Sequence, residues 1–346
     1  MIKTKFYVHK ILLLVGFLMF FLNSFSQKEF KIISYNVENL FDVKHDSLYN
    51  DSEYLPGGLR GWSYARYKEK LSNIAKVIVA AGEWNPPAII GLCEIENRNT
   101  LYNLTKNTGL QQLNYKFIHY ESPDVRGVDV ALLYLTNFFE ILNSHPIKIK
   151  FPNSESTTRD ILYACGKIPN GDTLHIFVNH FPSRLGGELE SEDRREIVAK
   201  FLRNAVDSIF EICKNAAVII MGDFNDYPDN KSITKILKTN PLPDNFNEID
   251  PQKLYNLAYK IHTDGKIGSY RHDNEWGMLD QIIVSGALLD NSLKTRVLCN
   301  TFQVFAPSWL LEEDKTFGMR PFRTYIGMKF NGGFSDHLPI LVKLTY

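Results

Sequence analysis

The decapeptide Ala217-Val218-Ile219-Ile220-Met221-Gly222-Asp223-Phe224-Asn225-Asp226 runs from five apolar residues through a glycine into carboxylate and amide side chains. Such an apolar run, bounded by a turn signal, reads as a strand buried on both faces. Its polar residues then stand at the strand's mouth. The design recurs outward in both directions. Asn36 follows an apolar run at 30–35, Glu94 follows one at 88–93 and His180 follows one at 174–179. Asp280 opens a run at 280–284, and Asp336 and His337 precede the last, at 338–344. Further strands are expected at 115–120 and 128–134.

Two segments have helical period instead. Ser63 is placed to cap a helix reaching about residue 81, with Leu71, Ile74, Ala75 and Ile78 as its stripe. Residues 192–213 carry Ile197, Phe201, Ala205, Ile209 and Cys213 on one face. Apolar strands mixed with amphipathic helices specify a layered α/β domain. No repeat or low-complexity linker divides the chain, so one domain over 28–346 is expected. The connections at 226–278 and 299–334 are rich in Gly, Pro and aromatic residues and are the natural carriers of substrate contacts.

The start of the chain stands apart. Lys3, Lys5 and Lys10 precede a twelve-residue apolar run at 11–22, with Ser24 and Ser26 after it. This reads as a signal peptide over 1–26, too short for a membrane span of roughly 20 residues. An exported protein, periplasmic or secreted, without stable membrane association is the expectation. The whole chain has 39 basic and 39 acidic residues, and removal of the three leader lysines leaves an excess of three acidic groups. A strongly basic nucleic-acid-coating protein is therefore not indicated. At 346 residues, 44% hydrophobic and 23% charged, the chain has the make-up of a globular enzyme. Cys93, Cys165, Cys213 and Cys299 match no zinc spacing. Cys93 and Cys213 read as buried thiols, and a Cys165–Cys299 bridge is left open.

Carboxylates and amide oxygens gathered at strand ends suit hard divalent cations, and neighbouring histidines suit proton transfer or phosphate stabilisation. Neither a Walker loop nor a Gly-x-Ser-x-Gly elbow is present. Metal-assisted hydrolysis of a phosphate ester is the chemistry this set favours. Five segments occur in order: Ser34-Tyr35-Asn36-Val37-Glu38-Asn39, Gly91-Leu92-Cys93-Glu94-Ile95-Glu96, Gly222-Asp223-Phe224-Asn225-Asp226, Leu279-Asp280-Gln281-Ile282 and Ser335-Asp336-His337-Leu338-Pro339. Together they resemble the endonuclease/exonuclease/phosphatase superfamily, which includes pancreatic-type deoxyribonucleases and abasic-site endonucleases, and they look most like its exported bacterial members.

The resemblance implies a four-layer α/β sandwich, two central mixed β-sheets flanked by helices. It implies Mg²⁺, with Mn²⁺ or Ca²⁺ as substitutes, held by Glu94, Asn36 and Asp336. Asp223 would orient or deprotonate the attacking water, and Asn225 would steady the phosphate. His337 would contact the scissile phosphate, with Asp280 fixing its tautomer and charge. His180 resembles a second active-site histidine, and Glu121 falls where its carboxylate partner is expected. Arg184 either clamps a phosphate or pairs with Glu188 or Glu190.

The implied activity is a metal-dependent phosphodiester hydrolase, foremost an endonuclease on DNA and potentially on RNA, with nucleic acid as its partner and no protein partner inferable. Its rivals are a phospholipid or inositol-phosphate phosphoesterase, for which residues 305–311 offer a membrane-facing loop, and a non-catalytic binding protein. Tyr270, Trp276, Trp309, Phe322 and Tyr325 read mainly as core beneath the late loops. Arg271, Arg320 and Arg323 are candidates for backbone-phosphate contact. Asp226 and Asp229 read as a plain turn, and residues 188–195 as a solvated charged face.

Overall fold

The computed structural model describes residues 28–152, 156–184, 186–272, 275–316 and 318–346. The expected leader, 1–26, lies outside these. Two sheets carry the architecture. In chain order their strands are β1 (Glu29–Leu40), β2 (Ile89–Ile95), β3 (Lys116–His119), β4 (Asp129–Tyr134), β5 (Glu140–Ile147), β6 (Ile161–Lys167), β7 (Thr173–His180), β8 (Ala217–Asp223), β9 (Thr239–Pro241), β10 (Leu254–Asn256), β11 (Asp280–Ser285), β12 (Arg296–Val304) and β13 (Ile340–Thr345). The first sheet runs β12-β13-β1-β2-β4-β3 and the second β5-β6-β7-β8-β11-β10-β9. Both are mixed, and they pack face to face around a core that includes Ile33, Leu92, Val178 and Met221.

Each sheet holds a parallel pair joined through a helix: β1 to β2 through α1 (Tyr64–Gly82), and β7 to β8 through α3 (Glu188–Ile212). A shorter α2 (Arg98–Lys106) follows β2. Ser63 caps α1 as expected, its Oγ accepting from the Arg66 amide at 3.4 Å. The helices cover the outer faces, giving the helix–sheet–sheet–helix order of the expected sandwich. Ligands in such sheets gather at the carboxyl ends of parallel strands. Here the two pairs bring those ends to the same edge of the sandwich, where Asn36 meets Asp223.

The sheets approach closely at Gly91, where a Cβ would stand 2.7 Å from Met221 Sδ. Gly222 has φ +138°, and a Cβ there would collide with the Asn179 carbonyl, so only glycine lets β8 turn into Asp223.

Some expectations need correction. Cys213 caps the end of α3 and is exposed, because the apolar stripe ends one turn earlier, and all four cysteines are free. Residues 188–195 are not wholly solvated: Arg195 is buried, its Nε 2.7 Å from Asp226 Oδ1. Asp226 is correspondingly a buried anchor. Residues 305–311 do not project as a membrane loop, since Leu310 is buried and Phe305, Trp309 and Leu311 pack against the core. Trp276, Phe322 and Tyr325 join the same core, as the sequence favours.

Candidate active site

The carboxyl ends of β1 and β2 are irregular where they enter the site, with register shifts after Asn36 and around Glu94. Glu38, Asn39, Glu94 and Asn225 all have positive φ, between +49° and +66°. Non-glycine residues adopt this conformation where surrounding structure enforces it, and such positions cluster at functional sites. The bulges turn Glu94 out of its strand so that Oε2 accepts the Asn39 amide at 2.8 Å. Its Oε1 stays open, 3.6 Å from Arg126 Nη2 and 3.7 Å from His180 Nε2.

Across the gap, Asp223 collects the centre. Its Oδ2 accepts from Asn36 Nδ2 at 3.0 Å and lies 3.6 Å from His180 Nε2 and 3.8 Å from His337 Nε2. Its Oδ1 accepts the Asn225 amide at 2.8 Å. Asn36 Oδ1 in turn accepts the Glu38 amide, and Asn225 Nδ2 donates to the Phe181 carbonyl. His337 Nδ1 meets Asp280 Oδ2 at 2.6 Å, and its ring lies 4.8 Å from that of Tyr270. The Ser335 hydroxyl donates to the Asn36 carbonyl and accepts the His337 amide, tying the histidine's segment to β1.

The two histidines are driven apart electrostatically. Burial works against a charge on His337, but Asp280 and Asp223 prevail and hold its pKa well above the ordinary value. His180 is pushed well below it by burial, reinforced by Arg159, Arg126 and His337. Burial also raises Asp223, to about 6, although His337 opposes the shift. One imidazolium, one neutral imidazole and a carboxylate of raised basicity therefore share a space a few ångströms wide.

Asn36, Glu94, His180, Asp223, Asn225, Asp280 and His337 are thus brought together. Three expected residues are placed differently. Glu121 does not reach His180: its Oε1 lies 3.8 Å from His119 Nδ1, while His180 Nδ1 is buried without a partner. The register of β3 with β4 brings His119 opposite Ala131, beside Asp129, which takes the other ring nitrogen at 3.1 Å. Arg184 is no open phosphate clamp, because its guanidinium is shared among Glu188 at 3.0 Å, Asp226 and the Asn225 carbonyl. Asp336 is tied to Arg323 at 2.8 Å, and His337 and Arg323 hold its pKa low against the effect of burial.

Two neighbours of the site are not evident from the sequence. Lys70 is fully buried on α1, donating to Thr324 Oγ1 and to the Phe334 carbonyl at 2.7 Å. Its Nζ lies 3.9 Å from Glu38 Oε2, which accepts the Thr324 amide. Burial and Asp336 raise Glu38 to about 7, despite Lys70. Arg126, half exposed over Glu94, is the other. A lysine inside an apolar helical stripe was the available signal for the first; nothing local marked the second.

The donor set fits a hard divalent cation at Glu94. Its open oxygen, the Asn36 amide and the nearby carboxylates are oxygen ligands of the kind Mg²⁺, Mn²⁺ and Ca²⁺ take. Among the described residues, His119, Glu121 and Asp129 also bring ligand atoms within 4.8 Å of one another, but His119 and Asp129 already pair there.

The model of the endonuclease/exonuclease/phosphatase family matches residues 31–346. No curated protein matches the sequence. Solved structures similar to this fold include a humanized D. rerio TDP2 carrying 14 mutations, with 16% identity and a TM-score of 0.55 over 92% of this chain and 99% of that one. An endonuclease/exonuclease/phosphatase family protein of Bacteroides thetaiotaomicron has 15% identity and a TM-score of 0.56, covering 93% and 99%. A mannosyl-6-phosphatase of the same species has 16% identity and a TM-score of 0.55, covering 92% and 100%.

Proposed function

This chain belongs to the endonuclease/exonuclease/phosphatase family, whose members hydrolyse phosphoester bonds with divalent metals, and from that premise we propose that it is a Mg²⁺-dependent phosphodiester hydrolase acting as an endonuclease on DNA. The observation that carries the chemistry is the opposition of His337, charged between Asp280 and Asp223, to the open carboxylate of Glu94. Glu94 and Asn36 would hold the cation, which supplies Lewis acidity to a phosphoryl oxygen. The His337 imidazolium donates to the charge developing on the phosphorus oxygens. Asp223, buried and of raised basicity, accepts the proton of the attacking water. Arg126 over Glu94 offers its guanidinium to the phosphate received there, and Arg323, partly exposed beside Asp336, offers one to a flanking phosphate, which supports a polynucleotide over an isolated ester.

A sugar monophosphate is the second reading, since one relative of this fold is a mannosyl-6-phosphatase. Incubation with plasmid DNA and with mannose 6-phosphate, with Mg²⁺ or EDTA and beside a His337→Ala control, separates them. Metal-dependent nicking that vanishes in the variant supports the endonuclease. Phosphate release with intact plasmid transfers the reading to monoesters. Export is part of the same proposal, and N-terminal sequencing of the protein recovered outside the cytoplasm should begin near Gln27.

A further inference from the structure

Arg126 reaches Glu94 from a surface turn, so something must fix that turn. The turn's own bonds begin at Asp124, whose Oδ1 accepts the Arg126 amide at 3.1 Å and whose carbonyl accepts the Gly127 amide at 2.9 Å. Asp124 is itself buried, and its Oδ2 meets Arg159 Nη1 at 2.9 Å. Arg159, also buried, spends its other donors on the end of β7: Nε on the His180 carbonyl at 3.3 Å and Nη2 on the Phe181 carbonyl at 2.6 Å. The opposite side of the turn is braced by Tyr49, whose hydroxyl donates to the Ser122 carbonyl, and by the Asn50 amide on the Val125 carbonyl.

A single guanidinium thus joins the Arg126 turn to the strand end bearing His180, and both converge on Glu94 Oε1. We infer that Arg159 is a positioning residue: through Asp124 it sets the Arg126 guanidinium where the substrate's phosphate group is received. The inference rests on the phosphoester reading of the site. Its chemistry follows from fork geometry. A planar guanidinium can bond a carboxylate and two carbonyls at once, whereas a lysine ammonium of similar charge cannot span all three in the same plane.

Arg159→Ala would strip buried Asp124 of its closest cation, leaving only Arg126 Nε at 3.7 Å, and endanger folding. The informative variant is Arg159→Lys, with Asp124→Asn as a second route to the same loss. Inorganic phosphate binding to the full protein in Mg²⁺ is measured by calorimetry, and hydrolysis of bis-p-nitrophenyl phosphate is measured in parallel. Arg126→Ala should weaken phosphate about tenfold, the loss of one charge-assisted contact. Arg159→Lys should weaken it by about threefold to tenfold, and the pair together no more than Arg126→Ala alone. KM should rise in step while kcat changes by less than about twofold.

Independent, multiplying losses in the double variant overturn the inference. So does unchanged phosphate affinity in Arg159→Lys, or phosphate that binds no form of the protein. If the diester is not hydrolysed yet the phosphate affinities fall in this non-additive pattern, the positioning role stands and the diesterase reading fails.

Discussion

Replacing Lys70 by Met keeps a long apolar stem in α1 and removes only the ammonium. Two buried acceptors, Thr324 Oγ1 and the Phe334 carbonyl, then lose their donor, and Glu38 loses the nearest cation. Leaving buried acceptors unsatisfied costs about 1–3 kcal/mol. An uncompensated buried carboxylate would add about 3–5 kcal/mol if it had to remain charged. Glu38 need not remain charged, because its pKa already stands at about 7 and rises further once Lys70 no longer lowers it. The sign follows from linkage. A carboxyl whose folded pKa exceeds its unfolded value binds more protons in the native state, so stability falls as pH rises between the two. In the variant that fall extends to higher pH. The expected loss is about 2 kcal/mol at pH 6, and about 1 to 1.5 kcal/mol more at pH 8, each unit of pKa shift being worth about 1.4 kcal/mol. Urea denaturation in EDTA measures it, provided the slope m is unchanged. Adding Glu38→Gln should recover most of the pH-dependent part. A loss equal at both pH values, or a double variant less stable than Lys70→Met at pH 8, would refute the reasoning.

Asp280→Asn should lower kcat by about a hundredfold to ten-thousandfold, and the alkaline limb of kcat/KM should move to lower pH, since the raised pKa of His337 depends on that carboxylate. An unshifted limb would assign it to another group. Arg184→Met should cost about 1–3 kcal/mol of stability by taking its donor from the Asn225 carbonyl, while Asp226 keeps Arg195 as its partner, with KM within about twofold of the parent; a KM rise of about tenfold would restore the phosphate clamp. Glu94→Gln should weaken Mn²⁺ binding at least about tenfold by calorimetry, and EDTA should abolish hydrolysis in the parent. Mn²⁺ affinity unchanged in that variant would move the metal elsewhere.

The strands and the strand-end residues were legible because buried strands leave unbroken apolar runs and because a site needs its polar groups where those runs stop. Asn36, Glu94, His180, Asp223, Asp280 and His337 were found this way. The edge strand Glu140–Ile147 was missed because its alternation is diluted by Asn143, Ser144 and Pro146, residues tolerated at a sheet margin, and the buried strand Ile161–Lys167 and the strand Arg296–Val304 were missed because no polar site residue marks their ends. Glu121 was misassigned because sequence gives the neighbourhood of a side chain but not its register partner, and the pairing of β3 with β4 gives Glu121 to His119. The Lys70–Glu38 pair joins residues 32 positions apart and belongs wholly to tertiary packing. Arg184 was ambiguous in sequence, and the buried Asp226 decides it.

The gap between the two sheets is also a gauge for the catalytic centre. Asn36 and Glu94 arrive on one sheet, His180 and Asp223 on the other, so every distance across the centre is an inter-sheet distance. At Gly91, three residues before Glu94, a Cβ would stand 2.7 Å from Met221 Sδ and 3.3 Å from Val178 Cγ1. A single methyl group there must either displace the pliable Met221 side chain or part the layers by a few tenths of an ångström, about the tolerance of a metal–ligand bond. The second outcome would leave each side chain of the candidate site present and the fold intact, yet throw its two halves out of alignment. In this architecture the packing of the core sets how the two halves of the candidate site meet, so apolar residues that touch no substrate are part of its geometry.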